Sequence, residues 1–168
     1  MSRSERAEVL ARLDVFVGTW AVEAIFPTDP TSTSPAAAGS PADDNRTGPH
    51  GRAAFEWILG ERYLVQRTDV PAPEAPDGLA IVCVNPDADS YTQHYYDSRG
   101  VTRLYAMSFT QGVWRLVRNA PDFSPLTFHQ RYTGTFSDDQ DAIRGVWEKS
   151  FDGSIWEYDF ALNYLRLA

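Results

Sequence analysis

The sequence predicts an all-β protein: a single up-and-down antiparallel β-barrel of about ten strands with a short N-terminal helix. Short runs of alternating apolar and polar residues follow one another from residue 52 to the end of the chain. Turn sequences containing Gly, Asn, Asp or Pro separate these runs, and no helical pattern interrupts them. Hairpin-length links between many short strands are typical of such barrels. No internal repeat is present, so residues 1–168 are expected to form one domain.

The last predicted strand shows the clearest alternation. Five apolar or aromatic side chains fall on one face, and charged or amide side chains fall on the other. This pattern predicts a half-buried antiparallel strand that needs a closed barrel or a second sheet to cover it. The apolar face is expected to hold Trp156, Tyr158, Phe160, Leu162 and Tyr164. It belongs to three closing strands between Leu126 and Leu167.

The N-terminal residues predict a helix followed by the first strand. Ser2 and Glu5 have capping-box spacing, and apolar residues then recur at helical intervals, which predicts a helix over Arg3–Asp14. Residues Pro27–Gly51 are rich in Pro, Ala, Ser and Thr, and we expect a mobile insertion in the first hairpin. The middle strands are expected over Arg52–Leu59, Arg62–Asp69, Leu79–Asn85, Ser90–Tyr96, Val101–Phe109 and Val113–Asn119.

Charge and cysteine content restrict the partners and the compartment. The formal net charge is −8, which disfavours nucleic acids and anionic membranes as partners. The one cysteine, Cys83, lies in an apolar run and excludes an intrachain disulfide. The charged N-terminus lacks the apolar region of a secretory signal, and no apolar run has membrane-spanning length. We therefore expect a cytoplasmic protein, either a monomer or a homodimer.

The residues Gly18-Thr19-Trp20 after the helix, together with Arg166, resemble the lipocalin and wider calycin pattern. That resemblance implies that Arg166 from the last strand covers Trp20 at the barrel floor, a cation–π contact of about 0.5–2 kcal/mol. From residue 13 to 166 the chain also resembles nitrobindin-like haem-binding barrels and lipocalin-like bacterial families. Val22 and Ala24, however, replace two nitrobindin glycines, and no His follows His129, so haem binding does not carry over.

Several polar residues lie in phase with the expected inner faces. A buried guanidinium is costly unless it is paired. Two interpretations stay open: a bound anionic group held by these arginines, or arginines that reach water or pair with Glu56 or Glu148. The candidate ligand-binding residues are Tyr63, Arg67, His94, Arg103, Tyr105, Trp114, Arg118, Gln130, Tyr132, Trp147 and Tyr158.

His94 is the histidine that we consider as a candidate for catalysis or haem binding. Alternation places His94 and Tyr96 on one face and Tyr91, Gln93 and Tyr95 on the other, and either face is aromatic enough to be the inner one. An inward His94 would suit proton transfer or haem ligation, whereas a structural His is the alternative. No two histidines have metal-ligand spacing, and no nucleophile-elbow, P-loop or dinucleotide motif is present. We therefore expect no metal and no cofactor, with haem as the alternative.

The sequence supports three hypotheses about function. The first is binding or carriage of a small hydrophobic or amphipathic ligand, with any anionic head on Arg103, Arg118 or Arg67. The second is a cofactor-independent cyclase or isomerase that uses His94 and a tyrosine. The third is haem binding through His94.

Overall fold

The computed structural model describes residues 3–27, 47–72, 75–85 and 89–168. Helix α1 covers Arg3–Ala11, and a 3-10 segment covers Arg12–Phe16. The strands are β1 Gly18–Ile25, β2 Thr47–Ile58, β3 Tyr63–Asp69, β4 Gly78–Val84, β5 Tyr91–Asp97, β6 Thr102–Thr110, β7 Val113–Arg118, β8 His129–Phe136, β9 Ala142–Ser150 and β10 Glu157–Arg166. Within these ranges, no helix is long and apolar enough to cross a membrane.

Each strand pairs antiparallel with its sequence neighbours, and β1 also pairs with β10, so the sheet closes into a ten-stranded barrel. The predicted fold class is confirmed. The β1–β10 register sets Trp20 opposite Arg166 and Ala24 opposite Leu162. Odd-numbered strands run away from the N-terminal helix. We call the end where they finish the mouth and the opposite end the floor.

The boundaries of two N-terminal elements differ from the prediction. The predicted helix over Arg3–Asp14 tightens into 3-10 geometry at Arg12. Strand β2 begins at Thr47, ahead of the predicted Arg52, because its ladder with β1 continues to the pair Ile25–Thr47. The alternation rule missed this extension, since pairing rather than side-chain pattern holds it. The remainder of the predicted insertion, residues 28–46, lies outside the described residues.

A β-bulge in β10 changes the predicted face of two residues. Tyr158 pairs with Glu148 and Phe160 pairs with Trp147, so β10 contains one extra residue between these pairs. A bulge of this kind shifts the alternation by one residue. Phe160, Leu162 and Tyr164 therefore face inward as predicted, but Tyr158 is 49% exposed and its hydroxyl donates to the Ile25 carbonyl at 3.2 Å. Trp156 likewise lies outside, under the Arg131 guanidinium.

Arg166 joins several segments of the chain at the floor of the barrel through hydrogen bonds and a cation–π contact. Its guanidinium carbon lies 4.1 Å from the centre of the Trp20 ring, which confirms the predicted contact. The same group donates to the carbonyls of Val17 at 2.9 Å and Val15 at 2.7 Å, and to that of Gln140 at 3.1 Å. The fully buried Trp20 donates its own Nε1 hydrogen to the carbonyl of Phe16 at 2.8 Å. One cation thus joins β10 to the segment before β1 and to the β8–β9 turn.

The 3-10 segment plugs the floor with apolar side chains. Leu13 and Phe16 are buried, and the Phe16 ring packs at 5.0–5.6 Å against four aromatic rings of the barrel wall. These rings belong to Phe55, Phe109, Trp114 and Phe136. Polar contacts fix the segment and the helix before it: Trp57 donates to Asp14 at 2.8 Å, and the Tyr91 hydroxyl donates to the Val9 carbonyl of α1 at 2.6 Å. The floor is therefore closed.

Replacing Arg166 with Ala should lower the free energy of unfolding by about 2–4 kcal/mol, because several carbonyls lose their donor and Trp20 loses its cover. Urea unfolding followed by tryptophan fluorescence measures this change. The control, Arg115→Ala, removes an exposed arginine of β7 and should change stability by less than about 0.5 kcal/mol. Equal effects of both substitutions would contradict the role of Arg166.

Candidate functional site

The two halves of the barrel interior differ in how tightly they are filled. Inward side chains of the floor half, among them Trp20, Phe55, Trp114, Tyr132 and Tyr164, are buried and pack against one another. Five inward side chains of the mouth half remain partly exposed: Arg103, Gln130, Trp147, Phe160 and Leu162. The interior thus has a closely packed aromatic base and a partly exposed inner wall near the mouth, and we call the space enclosed by that wall the cup.

Aromatic rings connect the rim of the cup to its base. Phe26, which is 53% exposed, stacks on Phe160 at 5.1 Å, and Phe160 stacks on Trp147 at 6.3 Å, with interplanar angles of 29° and 25°. Trp147 packs against Tyr132 at 5.2 Å, and Tyr132 meets Trp114 edge to face at 5.0 Å. We call these five rings the aromatic path. The three outer rings offer an apolar ligand a partly exposed surface at the mouth, whereas Tyr132 and Trp114 are buried.

Two glycines make room for the Tyr132 ring. Gly134 and Gly145 are paired on β8 and β9, and a Cβ atom at either position would overlap the Tyr132 side chain. The hydroxyl of Tyr132 donates to the Leu162 carbonyl at 3.1 Å, between the β9–β10 pairs Ala161–Val146 and Tyr164–Ile143. Burial raises the pKa of Tyr132 well above its usual value, so this phenol stays protonated.

The remaining polar groups of the inner wall are mostly neutral. Gln66 donates to the Tyr164 hydroxyl at 3.3 Å, and the Tyr105 hydroxyl donates to Gln130 at 3.2 Å. Burial raises the pKa of both Tyr105 and Tyr164 to about 12, so both phenols are neutral at physiological pH. Sequence reasoning missed Gln66, although its alternation with Leu64 was a usable signal. These four residues of the inner wall thus provide hydrogen bonds without charge.

The buried guanidinium of Arg118 is neutralised by the chain itself. Its side chain is 1% exposed and donates to Asp122 at 2.7 and 2.9 Å, and Asp122 is 2% exposed. Asp122 also accepts from the backbone nitrogens of Leu104 and Ser124. These donors, with Arg118 foremost, hold the pKa of Asp122 far below its usual range. The predicted need of Arg118 for an external anion is therefore met by an aspartate in the β7–β8 connection.

Arg103, Arg118 and Lys149 are basic residues at the mouth end of the inner wall, and Arg103 differs from the other two in its partners. Lys149 pairs with Asp159 at 3.0 Å, as Arg118 pairs with Asp122. Arg103 donates to the Ser124 hydroxyl at 2.8 Å and to the Thr102 carbonyl at 3.0 Å, and it forms no ion pair within the described ranges. Arg103 therefore keeps an uncompensated charge at the mouth.

The structure brings seven of the eleven predicted site residues to the inner wall and leaves four outside. The inner set is Arg103, Tyr105, Trp114, Arg118, Gln130, Tyr132 and Trp147, and the outer set is Tyr63, Arg67, His94 and Tyr158. Arg67 pairs with Glu56 at 3.2 Å, one of the two predicted alternatives. On β5 the inner face is that of Tyr91, Gln93 and Tyr95.

A surface groove of about 290 Å³ lies along the seam of β1, β9 and β10, away from the mouth. Its outward-facing lining includes Glu23, Arg144, Asn163 and Leu165. Asn163 accepts a hydrogen bond from the backbone nitrogen of Gly145 at 3.2 Å. The groove is a second concave surface, separate from the inner wall.

A closed ten-stranded antiparallel barrel with a plugged floor is the class that the fold defines. No protein-family model matches the chain, and no curated protein matches it. Among solved structures the chain is similar to the crystal structure of Rv2717c from M. tuberculosis, with a TM-score of 0.58 and 15% sequence identity. The match covers 95% of this chain and 98% of that one. At this identity the likeness shows a shared fold.

Replacing Asp122 with Asn should destabilise the protein by about 3 kcal/mol or more at pH 7, because Arg118 stays buried without its counter-charge. Since the folded pKa of Asp122 is lowered, its contribution is complete above the unfolded pKa of about 4 and declines as the pH falls below it. The variant should therefore lose less stability than the parent between pH 5 and pH 3 in urea titrations. Asp138→Asn, in the exposed β8–β9 turn, is the matched control. An equal loss of unfolding free energy by the parent and by D122N between pH 5 and pH 3 would contradict the role of Asp122.

Proposed function

We propose that the protein binds a small, mainly apolar ligand in the mouth half of a calycin-like barrel. The observation that carries the proposal is the partly exposed aromatic inner wall of a cup whose floor is closed. Apolar side chains facing an accessible concavity gain free energy when a ligand displaces water from them. The aromatic path supports the same conclusion, because it extends that apolar surface to the rim.

The polar groups support an amphipathic ligand with its head at the mouth. An anionic head on Arg103 would gain a charge-assisted hydrogen bond without displacing a carboxylate of the protein. Arg118 and Arg67, the other two candidates, already hold Asp122 and Glu56. The neutral Tyr105–Gln130 pair, which lies next along the inner wall, suits the uncharged part of the ligand.

The two alternative functions required His94 on the inner wall. His94 pairs with Ile81 and Leu104 on the outer face of β5, opposite in direction to Gln93. Nothing in the geometry around His94 favours acid–base chemistry or haem ligation inside the cup. Ligand binding is therefore the single function we put forward.

A larger side chain inside the cup should weaken ligand binding. Leu162→Trp enlarges a partly exposed inward side chain, whereas Leu165→Trp enlarges a 59% exposed side chain on the outer groove. Titration of the fluorescent probe 11-(dansylamino)undecanoic acid should show at least a tenfold loss of affinity for L162W and none for L165W, because only Leu162 occupies the proposed volume. The reverse result would move the site to the outer groove, and no binding by the parent protein would end the proposal.

Removing the Arg103 charge should weaken binding of the acid by about tenfold, the effect of a lost charge-assisted hydrogen bond. The measurement compares this acid with its methyl ester on Arg103→Ala and on Arg67→Ala. R103A should bind the acid more weakly and the ester as the parent does. R67A, which removes a side chain on the outer face, should bind both probes as the parent does. An ester that binds the parent protein as tightly as the acid would exclude an anionic head on Arg103.

A further inference from the structure

The indole nitrogen of Trp114 is a buried donor without an acceptor. Trp114 is 2% exposed, and its Nε1 has no hydrogen-bond partner among the residues that the structure describes. The indoles of Trp20 and Trp57, by contrast, donate to Phe16 and Asp14 at 2.8 Å each. Buried N–H groups in native proteins are nearly always paired, so an unpaired one requires an explanation.

Among the described residues, none of the neighbours of Trp114 accepts its indole hydrogen. Four aromatic rings surround it with centroids at 5.0–6.4 Å: Phe16, Phe55, Tyr132 and Tyr164. Neither of the two hydroxyl groups among them accepts the indole hydrogen: the hydroxyl of Tyr132 donates to the Leu162 carbonyl, and that of Tyr164 accepts from Gln66. The donor lies at the inner end of the aromatic path, where a ligand that follows the path would arrive.

We propose that the ligand is flat and conjugated and carries at its leading end a neutral acceptor, such as a ketone carbonyl, that receives the hydrogen bond of Trp114 Nε1. This inference rests on the proposed ligand binding inside the barrel. The near-parallel stacks of Phe26, Phe160 and Trp147 favour a planar molecule, since a flat ring can extend them. A saturated chain would gain nothing from ring orientation.

The acceptor must be neutral. An ionised group at that depth would lose its hydration without meeting a cation, because the unpaired charge of Arg103 lies at the mouth. Phe109, the β6 partner of Trp114, is six residues from Arg103, which is roughly 20 Å along the strand. The head-group contact and the Trp114 contact are thus far enough apart to be tested independently.

The ring that gives way to the ligand is Trp147. It is partly exposed, lies between Phe160 and Tyr132, and forms no indole hydrogen bond within the described part of the chain. Tyr132, in contrast, is held by Leu162 and by the two glycines beneath its ring. Rotation of Trp147 would expose the Tyr132 ring, and the Trp114 indole lies edge to face against that ring at 5.0 Å.

The test uses two uncharged naphthalene probes that differ only in the carbonyl: 6-propionyl-2-dimethylaminonaphthalene and its 6-propyl analogue. The parent protein should bind the ketone about three- to tenfold more tightly, the gain of one buried hydrogen bond. Trp114→Phe should remove this preference, so that the ketone and the propyl analogue bind with equal affinity. Trp156→Phe, which alters an indole on the outer face, should keep the preference.

A measurement on the parent protein protects the test against a variant that fails to fold. In protein carrying ¹⁵N-labelled tryptophan, the Trp114 indole N–H signal should move downfield with the ketone and not with the propyl analogue. If both probes bind equally and this signal behaves alike with each, the assignment of Trp114 is wrong and ligand binding in the barrel stands. If neither probe nor the dansylated acid binds the parent protein, the proposed function fails, and this inference fails with it.

Discussion

The closed barrel depends on the pairing of β1 with β10, which the guanidinium of Arg166 reinforces where these two strands meet. Strand β1 must pair with β2 and with β10 at once, and the Arg166–Val17 contact spans 149 positions in sequence. Forming such a contact costs loop-closure entropy, which local interactions cannot offset. Arg166 offsets part of it by satisfying carbonyls of the segment that precedes β1 and by covering Trp20. The plugged floor follows from the same contact.

The two ends of the barrel are stabilised by different forces. At the floor, Phe16 and its ring of aromatic neighbours exclude water, so burial supplies the stability there. At the mouth, inward cations would be costly, and the chain neutralises Arg118 and Lys149 with its own carboxylates. Asp122 also orders the β7–β8 connection through Ser124, which in turn bonds to Arg103. The same loop thus removes one charge from the inner wall and orients another.

The interior combines dense packing at depth with accessible aromatic surface near the rim, and this division gives the fold its binding character. Gly134 and Gly145 allow the Tyr132 ring to lie against the wall, which shapes the base of the cup. The polar groups that remain are phenols and amides that bond to one another, so polarity without charge defines the chemistry available at depth. Trp114 Nε1 differs from these groups, because it has no hydrogen-bond partner among the residues that the structure describes.

The sequence by itself determined the order and the approximate number of the strands, because alternation and turns are local patterns, and its resemblance to the calycin pattern implied the contact of Arg166 with Trp20. It also identified most of the inner wall, including Tyr105, Trp114 and Trp147. Only the tertiary structure decided the faces of His94 and Tyr158, since β5 is aromatic on both sides and the β10 bulge inserts one residue without a local pattern. It likewise decided that Asp122 neutralises Arg118, because a loop carboxylate reveals its partner only when the chain has folded around it.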